Sequence, residues 1–448
     1  MATQRFEVVV VGAGPGGEVV AERTAAAGLK TALVERELIG GECAYWACIP
    51  SKTLLRPGEV RHEAEKAAGM PSPRPSFDEV AAYRDFMIRD LDDAAQVKGY
   101  EEQGVTVFKG VGSLSGPHEV EVGGERLESE RIVIATGTEP LIPPIEGLEQ
   151  AGYWTNREAT TLKEVPASVT ILGGGPVGVE LAQMLRRFGA DVGLLEAGER
   201  LLSREDPRVS ELLHEALDAD GIEVHVNAEV ETVSTEDGRR VAVFGDRRVS
   251  ADELIVAIGR RPRLGELSLE RAGIEPGKKG IEVDERCRAG EGIWAIGDVT
   301  GVMPFTHVAK YQGRVVCADI LGRAARADYD AVPRVVFSDP EVAAVGMTEA
   351  QARDAGIETA SAHVRLPDTI ARPWTYETNP RGELSMVADR GRGVLVGAWA
   401  VGPMAGEWIH YAALAIKTAT PVAVLRDTVA QFPTYTEGYL KALEQLPG

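Results

Sequence analysis

Short apolar runs and helical segments follow one another in the same order at two places in the chain. Residues 7–11 and 30–34 are apolar runs of the kind that forms strands buried on both faces of a parallel sheet, and a glycine-rich turn and a helix separate them. Residues 168–172 and 191–195 repeat this arrangement. Two strand–turn–helix–strand units predict two doubly wound α/β domains.

Two further apolar segments end in glycine, at residues 131–137 and 253–259. Each is predicted to be a strand by which the chain returns to one of these two domains. From about residue 331 the pattern changes to short strands and an apolar helix, which is predicted from Glu407 to about residue 418. The predicted organisation is a first domain in two parts (1–145 and 266–330), a second domain between them (146–265) and a separate α+β domain (331–448).

The two turns carry the glycine spacing of dinucleotide-binding sites. Glycines allow the backbone to approach a pyrophosphate, and the following helix presents free N–H groups and the positive end of its dipole. An acidic residue that ends the second strand accepts hydrogen bonds from ribose hydroxyls. The acid follows the first glycine by 23 positions in both units, which favours two dinucleotide sites over turns that are only structural. The candidate residues are Gly12, Gly14, Pro15, Gly17 and Glu35 in the first site, and Gly173, Gly175, Gly178 and Glu196 in the second.

The acid of the second site bears on the choice of nicotinamide cofactor. A carboxylate at Glu196 suits the free 2′-hydroxyl of NAD and repels the 2′-phosphate of NADP, so NADH is the predicted donor. Arg200 lies four residues further on and could turn toward a phosphate, although a solvated surface charge is the simpler interpretation.

Two cysteines lie in the segment GGECAYWACIPSK at residues 40–52, directly after the first dinucleotide unit. In a regular helix five positions correspond to about 7.5 Å of rise, whereas a disulfide needs Cα atoms closer than about 7 Å. A bond between Cys43 and Cys48 therefore requires a distorted turn between them. Pro50 favours the first turn of a following helix, so Cys48 would lie near the positive end of that helix, which favours the thiolate.

The cysteine pair has two other interpretations, small buried residues or part of a zinc site. Zinc requires four ligands, and the sequence offers no second close pair of Cys or His residues. Cys287 and Cys317 are isolated, and we expect them to be ordinary buried residues. Two dinucleotide sites beside a close thiol pair predict an electron relay from a nicotinamide through a flavin to a disulfide.

Composition narrows the range of partners. The net charge of −21 disfavours nucleic acid, which proteins bind by neutralising phosphates. No apolar run has the length that spans a bilayer, and the N-terminus leads into a strand without a signal peptide. We therefore expect a cytoplasmic enzyme with a small-molecule acceptor and no bound metal.

Together these motifs resemble the pyridine nucleotide–disulfide oxidoreductases, the family of dihydrolipoamide dehydrogenase, glutathione reductase and mercuric reductase. The likeness covers essentially the whole chain. Residues 40–52 resemble the redox-active disulfide motif, and residues 337–346 resemble the start of the C-terminal dimerisation domain. Two shorter segments resemble further FAD signatures, namely Ala135-Thr136-Gly137 and Gly297-Asp298.

The resemblance implies an α/β fold with two Rossmann-like nucleotide-binding domains and a C-terminal α+β dimerisation domain. It implies that the first turn holds FAD and the second NAD(P)H. Cys48 would face the flavin, Cys43 would be the interchange thiol, and Lys52 would pair with Glu180 near flavin N5. A homodimer is implied, in which Glu437 reaches the cysteines of the partner chain. The other cofactor-binding positions implied by the resemblance are Gly41, Gly259, Thr306, His307 and Ala309, with Asp298 on the ribityl chain.

One departure from the family bears on the acceptor. Disulfide reductases of this family carry a C-terminal His-Pro-Thr-x-x-Glu motif, whose His is the acid/base for the interchange thiol. Here Phe432 occupies the His position and Glu437 the Glu position, and the last histidine in the chain is His410. The acceptor predicted is therefore a quinone, a metal ion or an unusual disulfide. The alternatives are a dihydrolipoamide dehydrogenase that uses Glu437 or a water for the proton, and an FAD-binding redox sensor or structural subunit with little turnover.

Overall fold

The strands follow the apolar runs of the sequence in this computed structural model, which describes residues 3–447. In chain order they are β1 (Thr3–Arg5), β2 (Val8–Val11), β3 (Thr31–Glu35), β4 (Val105–Lys109), β5 (Gly112–Gly116), β6 (Glu119–Val122), β7 (Glu125–Glu128), β8 (Ile132–Ile134), β9 (Thr138–Pro140), β10 (Ser168–Leu172), β11 (Asp191–Leu195), β12 (Glu223–His225), β13 (Thr232–Glu236), β14 (Arg239–Phe244), β15 (Arg247–Ala251), β16 (Glu253–Val256), β17 (Arg260–Pro262), β18 (Arg288–Gly290), β19 (Ile293–Ala295), β20 (Pro333–Val336), β21 (Glu341–Gly346), β22 (Thr359–Arg365), β23 (Glu383–Asp389) and β24 (Val394–Gly402).

Helices lie between many of these strands along the chain. They are α1 (Pro15–Ala26), α2 (Gly41–Tyr45), α3 (Cys48–Lys66), α4 (Phe77–Met87), α5 (Ala94–Glu102), α6 (Leu148–Ala151), α7 (Asn156–Thr161), α8 (Pro176–Arg187), α9 (Pro207–Ala219), α10 (Thr306–Ile320), α11 (Glu349–Asp354), α12 (Leu366–Thr369), α13 (Arg372–Tyr376), α14 (Ala405–Trp408), α15 (His410–Lys417), α16 (Val422–Asp427) and α17 (Glu437–Leu443). Short 3-10 helices lie at Arg89–Leu91, Leu269–Ala272 and Gly297–Thr300.

The chain divides into two compact units. The first consists of the residues up to Pro50 together with Ala82–Leu141 and Gly259–Asp328. The second consists of Ser51–Ala81, Ile142–Ile258 and the residues from Tyr329 onward. The four-part domain division drawn from the sequence stays a prediction.

The first unit is built on a six-stranded sheet with the order β18-β19-β8-β2-β3-β4. Its pairs are parallel except β18 with β19. Along β2, Val9 and Val11 pack into one apolar cluster while Val8 and Val10 pack into another. Both faces of the strand are thus buried, as the continuous apolar run predicts.

The described part of the second unit contains a parallel sheet and two antiparallel sheets, the smaller of which has the order β13-β14-β15. The parallel sheet has the order β12-β11-β10-β16, and α8 follows β10 as α1 follows β2. A five-stranded antiparallel sheet, β20-β21-β24-β23-β22, forms the C-terminal part with helices α14 to α17. The α/β class and the α+β C-terminal region are therefore as predicted.

The apolar helix near residue 410 differs from its prediction. It begins at Ala405 rather than Glu407 and is divided into α14 and α15 at Ile409. Ile409 keeps helical dihedrals (φ −60°, ψ −21°) and is fully buried, so the two segments follow one helical path. The interruption is local and leaves the apolar face intact.

Across the described part of the chain, none of the helices combines the length and the apolarity needed to cross a membrane.

Candidate functional site

The first glycine-rich turn joins β2 to α1 and leaves an open face at the helix N-terminus. Gly12 has a φ of +103°, and a Cβ there would lie 2.4 Å from the carbonyl oxygen of Ala135. A Cβ at Gly17 would lie 1.9 Å from the oxygen of Gly12, so only glycine allows this close packing of helix on strand. Gly14 has no neighbouring atom within 4 Å of its Cβ position. With Pro15 as the first residue of α1, the turn suits a phosphate at the start of the helix.

The acid that ends β3 is held against this turn. Glu35 accepts hydrogen bonds from the N–H groups of Ala13 (2.8 Å) and Glu37 (2.7 Å). Burial raises the pKa of the Glu35 carboxyl, although both hydrogen bonds oppose this. Each carboxylate oxygen keeps a second lone pair and can accept a further hydrogen bond, and the contact with ribose hydroxyls stays a prediction.

The segment after β8 lies beside the first turn and contains Ala135, Thr136 and Gly137. Thr136 Oγ1 donates to the carbonyl of Arg263 (3.1 Å), and the N–H of Arg263 donates to Gly137 (3.0 Å). Gly259 has a φ of +142° and precedes the short strand β17. Residues 135–137 are therefore held against the chain that follows Gly259, within the first unit.

Asp298 lies in the 3-10 helix that begins at Gly297. It accepts a hydrogen bond from Thr138 Oγ1 (3.0 Å), and burial raises the pKa of its carboxyl while Thr138 and Arg260 oppose the shift. Ala309 of α10 packs against this segment, since a Cβ at Gly297 would lie 3.2 Å from its methyl carbon. A buried carboxyl at this point suits a polar ligand chain with hydroxyl donors.

The second turn repeats the geometry of the first. Gly173 has a φ of +110°, and a Cβ there would lie 2.5 Å from the oxygen of Ala257. A Cβ at Gly178 would lie 1.9 Å from the oxygen of Gly173, while Gly175 has nothing within 4 Å. The two turns differ in sequence but share one geometry. The first and third glycines lie too close to backbone atoms for a Cβ, and the second glycine has space around its Cβ position.

Glu196 is tied to the second turn by both carboxylate oxygens. It accepts from the N–H groups of Gly174 (2.6 Å) and Gly198 (2.7 Å). Arg200 does not turn toward this carboxylate, because its guanidinium donates to Ser210 Oγ (2.8 Å) and the carbonyl of Ser203 (2.6 Å). In this structure Arg200 is therefore anchored by hydrogen bonds to neighbouring residues, and a role toward a phosphate stays untested.

The cysteine segment begins against the first glycine-rich turn. Gly40 donates its N–H to the carbonyl of Ala13 (2.8 Å), and a Cβ at Gly41 would lie 2.9 Å from the Cα of Gly14. Only glycines allow this approach, and it places Cys43 next to the first dinucleotide turn.

The two cysteines lie in different helices with a break between them, as the distorted turn predicted from the sequence requires. Cys43 lies in α2, which ends at Tyr45, and Trp46 leaves the helical region with a φ of −134°. Cys48 begins α3. Both cysteine side chains are half-buried. Among the described residues, no group of three or more His, Cys, Asp or Glu side chains is arranged to hold a metal ion.

Thr306 connects the two thiols. Its Oγ1 donates to Cys43 Sγ (3.3 Å) and lies 3.5 Å from Cys48 Sγ. The contact was not predicted, because the resemblance assigns Thr306 to the flavin. His307 is exposed and its ring stacks on Phe305, with 5.2 Å between ring centroids.

The hydrogen bond of Cys43 with Cys48 raises the pKa of the Cys43 thiol strongly. Burial and the charge of Cys48 act in the same direction, while Thr306 and Lys310 oppose the shift. The raised pKa favours the protonated form of the Cys43 thiol, whereas the hydrogen bond from Thr306 favours its thiolate.

Lys52 and Glu180 form an ion pair in the second unit. The Lys52 Nζ lies 2.7 Å from Glu180 Oε2 and 4.7 Å from the centre of the Phe337 ring. The other oxygen of Glu180 accepts from the N–H of Phe337 (3.0 Å). Glu180 is buried, so its charge is compensated by this lysine and this backbone group.

The same face of α8 contacts the segment after Phe337, and this contact was not predicted from the sequence. Gln183 accepts from the N–H of Asp339 (2.8 Å), and Arg187 lies 2.9 Å from its carboxylate. Although burial opposes ionisation, the hydrogen bond of His62 and the charge of Arg187 lower the pKa of Asp339 to about 2. The signal was available, since residues 180, 183 and 187 are polar at helical spacing on a helix that is otherwise largely apolar.

A cavity of about 310 Å³ lies beside this network. Lys52, Gln183, Arg187, Phe337 and Asp339 contribute to its wall. The second unit therefore offers space for part of a ligand next to the Lys52–Glu180 pair.

The C-terminal tail places a phenyl ring where the disulfide reductases carry an imidazole. Phe432 is 70% exposed. Glu437 begins α17, and its Oε2 is buried without a hydrogen-bond partner among residues 3–447. The tail thus presents one apolar ring and one carboxylate oxygen that lacks a donor.

Comparison with known proteins decides the family. Residues 6–313 match the pyridine nucleotide-disulphide oxidoreductase family, and residues 332–443 match the dimerisation domain of that family. The chain belongs to the pyridine nucleotide-disulphide oxidoreductases. Members use FAD and NAD(P)H, so the protein is an NAD(P)H-dependent flavoprotein oxidoreductase. The match to the dimerisation domain supports a homodimer.

Similar proteins in this family differ in their acceptors. A mercuric reductase of Acidithiobacillus ferrooxidans is 35% identical over 97% of this chain and 81% of that protein. A dihydrolipoyl dehydrogenase of Thermus scotoductus is 33% identical over 98% of this chain and 97% of that protein. The solved Cu(II) complex of the HOCl-induced flavoprotein disulfide reductase RclA from Escherichia coli has a TM-score of 0.86 at 28% identity, covering 98% of this chain and 99% of that chain.

Proposed function

We propose that this enzyme passes electrons from NADH through FAD and the Cys43–Cys48 pair to a thiophilic metal ion. The observation that carries the proposal is Phe432 at the position of the acid/base histidine. A phenyl ring transfers no proton, and loss of a general acid/base typically costs about 10²–10⁴-fold in rate. A metal ion bound by sulfur needs deprotonated thiols instead, so it avoids the step for which the histidine is missing.

The relatives support an acceptor of this class. Several of the similar proteins are mercuric reductases, and RclA has been solved with Cu(II). Each NADH supplies two electrons, which reduce one Hg(II) to Hg(0) or two Cu(II) to Cu(I) and leave NAD⁺ and one proton. Both outcomes need only the two sulfurs as transient ligands.

The residues of the first unit would hold FAD. Gly12, Gly14 and Gly17 would receive the pyrophosphate at α1, Glu35 the ribose, and Asp298 the ribityl hydroxyls. When bound, FAD supplies the ring that accepts a hydride from NADH and returns two electrons to the disulfide. The close approach of the cysteine segment to Gly14 supports the proposed transfer of electrons from FAD to the cysteine pair.

The residues of the second unit would hold the nicotinamide cofactor. Gly173, Gly175 and Gly178 would receive its pyrophosphate, and Glu196 would accept from the 2′-hydroxyl. Lys52, oriented by Glu180, would stand near flavin N5. The negative charge of Glu196 favours NADH over NADPH.

The tail of each subunit would complete the site of its partner in a homodimer. Glu437 is the residue proposed to reach the partner's cysteines, and its buried oxygen without a donor supports a further contact. Light scattering of the purified enzyme is expected to give a dimer, and an active monomer would contradict this assignment.

The test is NADH oxidation with Hg(II), Cu(II), quinones, lipoamide and glutathione disulfide as separate acceptors. We expect metal-dependent NADH oxidation that is lost in Cys43→Ser and Cys48→Ser. The matched control is Cys317→Ala, because burial raises the pKa of the Cys317 thiol to about 11 and keeps that thiol out of metal chemistry. Phe432→His should raise lipoamide reduction by roughly tenfold or more without a matching gain for metals.

Each other result of the panel points to a different function. Wild-type turnover of lipoamide on the order of 10 s⁻¹ or more, without metal reduction, would identify a dihydrolipoamide dehydrogenase. Quinone turnover that survives Cys43→Ser would place the quinone at the flavin instead. Bound FAD with no acceptor throughout the panel would favour a redox sensor.

A further inference from the structure

The hydroxyl of Thr306 reaches both thiols of the cysteine pair. Its Oγ1 lies 3.3 Å from Cys43 Sγ and 3.5 Å from Cys48 Sγ. Thr306 begins α10 and is half-buried. A hydroxyl carries one proton and two lone pairs, so it donates to only one sulfur at a time.

The reduced pair has one proton and one negative charge to distribute. A hydride equivalent that breaks the S–S bond leaves one thiol and one thiolate, so the step balances without another proton. The thiolate must form on the flavin-facing sulfur, and the acceptor must meet a negative sulfur on the other residue. The charge therefore has to move between Cys48 and Cys43 in each cycle.

We infer that Thr306 is a positioning residue whose hydroxyl donates to whichever sulfur carries the negative charge. Rotation of the hydroxyl exchanges the two hydrogen bonds without movement of the backbone. The inference rests on the proposed passage of electrons through the pair, and it adds a residue to which the family resemblance assigns only a flavin contact.

Charged groups also lie near the cysteine pair. Lys310 lies on the same helix as Thr306, and its charge acts on Cys43. Glu42, next to Cys43 on α2, is engaged by Arg260 (3.5 Å) and Arg263 (3.7 Å). The Thr306 hydroxyl, which is neutral, lies within hydrogen-bond distance of both sulfurs.

The first test uses holoenzyme whose pair has been reduced chemically with a phosphine, so it does not depend on the electron path. Iodoacetamide labels the pair, and mass spectrometry gives the rates for Cys43 and Cys48. Hydrogen bonds to charged groups change such equilibria by roughly tenfold or more, so Thr306→Val should change the ratio of the two rates by about tenfold. Thr306→Ser, which keeps the hydroxyl, should restore the wild-type ratio.

The second test records the long-wavelength absorption of a thiolate beside the flavin after one equivalent of NADH. Thr306→Val should lose a large part of this band, and Thr306→Ser should keep it. An unchanged labelling ratio in Thr306→Val, or equal changes in the Val and Ser variants, would overturn the inference. A labelling ratio that responds as expected, with no band in the wild type, would instead refute the proposed electron path and leave the role of the hydroxyl supported.

Discussion

Glu341 gives the most quantitative prediction, because its half-buried carboxyl lies where few groups favour its charge. It begins β21 and accepts a hydrogen bond from the N–H of Gly406 (2.8 Å). Burial raises the pKa of this carboxyl to about 7, and the charges of Glu59, Glu407 and Asp339 add to the shift. Only the hydrogen bond of Gly406 opposes it among these contributions. The side chain is therefore protonated in the folded protein at pH values where it is ionised in the unfolded chain.

The size of the effect follows from the two pKa values. A rise from 4.5 to about 7 corresponds to roughly 3 kcal/mol, at about 1.36 kcal/mol for each unit of pKa. Because the folded state binds the proton more tightly, the contribution of the protonated carboxyl is complete below pH 4.5 and is lost as the pH rises through about 7. Glu341→Gln removes this dependence and keeps an oxygen for Gly406. The variant should therefore be more stable than the wild type at pH 8 by up to about 3 kcal/mol, and about equal to it near pH 4.5.

The assay is urea unfolding followed by tryptophan fluorescence at several pH values from 5 to 8. Trp399 and Trp408 are buried in the same unit and report on its unfolding. Asp354→Asn is the matched control, because Asp354 is an exposed carboxyl of that unit. A difference between Glu341→Gln and the wild type that is the same at pH 5 and pH 8, or that grows toward acid, would refute the reasoning.

Three further predictions concern the cofactor sites. Gly17→Ala should abolish FAD binding through misfolding, because its Cβ would lie 1.9 Å from a backbone oxygen. Gly14→Ala should fold and bind FAD more weakly. Circular dichroism measures folding and flavin absorbance measures bound FAD, so together they separate the two outcomes. Glu180→Gln should slow flavin reduction by NADH by roughly tenfold in stopped flow, since it loses the charge that orients Lys52, and an unchanged rate would exclude this role. Glu196→Gln should raise the ratio of kcat/KM for NADPH to kcat/KM for NADH, because it removes the repulsion of a 2′-phosphate. A fall of this ratio in the variant would contradict the predicted NADH preference.

The parts of the fold that were predicted correctly are encoded locally. The turns of Gly12 and Gly173, with the acids 23 positions later, are recognisable from their spacing alone. The break between Cys43 and Cys48 follows from helix rise and disulfide reach, without knowledge of the rest of the chain. These features depend on neighbouring residues, so a single sequence suffices to find them.

The contacts that were missed join distant parts of the chain. Thr306 reaches Cys43 across 263 positions, and Asp339 meets Gln183 across 156. Such pairs depend on how sheets and helices pack. No spacing in the sequence indicates which distant residue a hydroxyl or an amide will contact. For Phe432, the sequence predicted only that a proton carrier is missing at this position.

The most direct measurement of the central claim is anaerobic stopped-flow reduction by NADH, followed at wavelengths beyond the flavin bands, in the wild type and in Cys48→Ser. A long-wavelength absorption that appears in the wild type and is absent from the variant is the predicted result. If no such absorption develops in the wild type, or if it persists without the Cys48 sulfur, electrons do not leave the flavin through this pair.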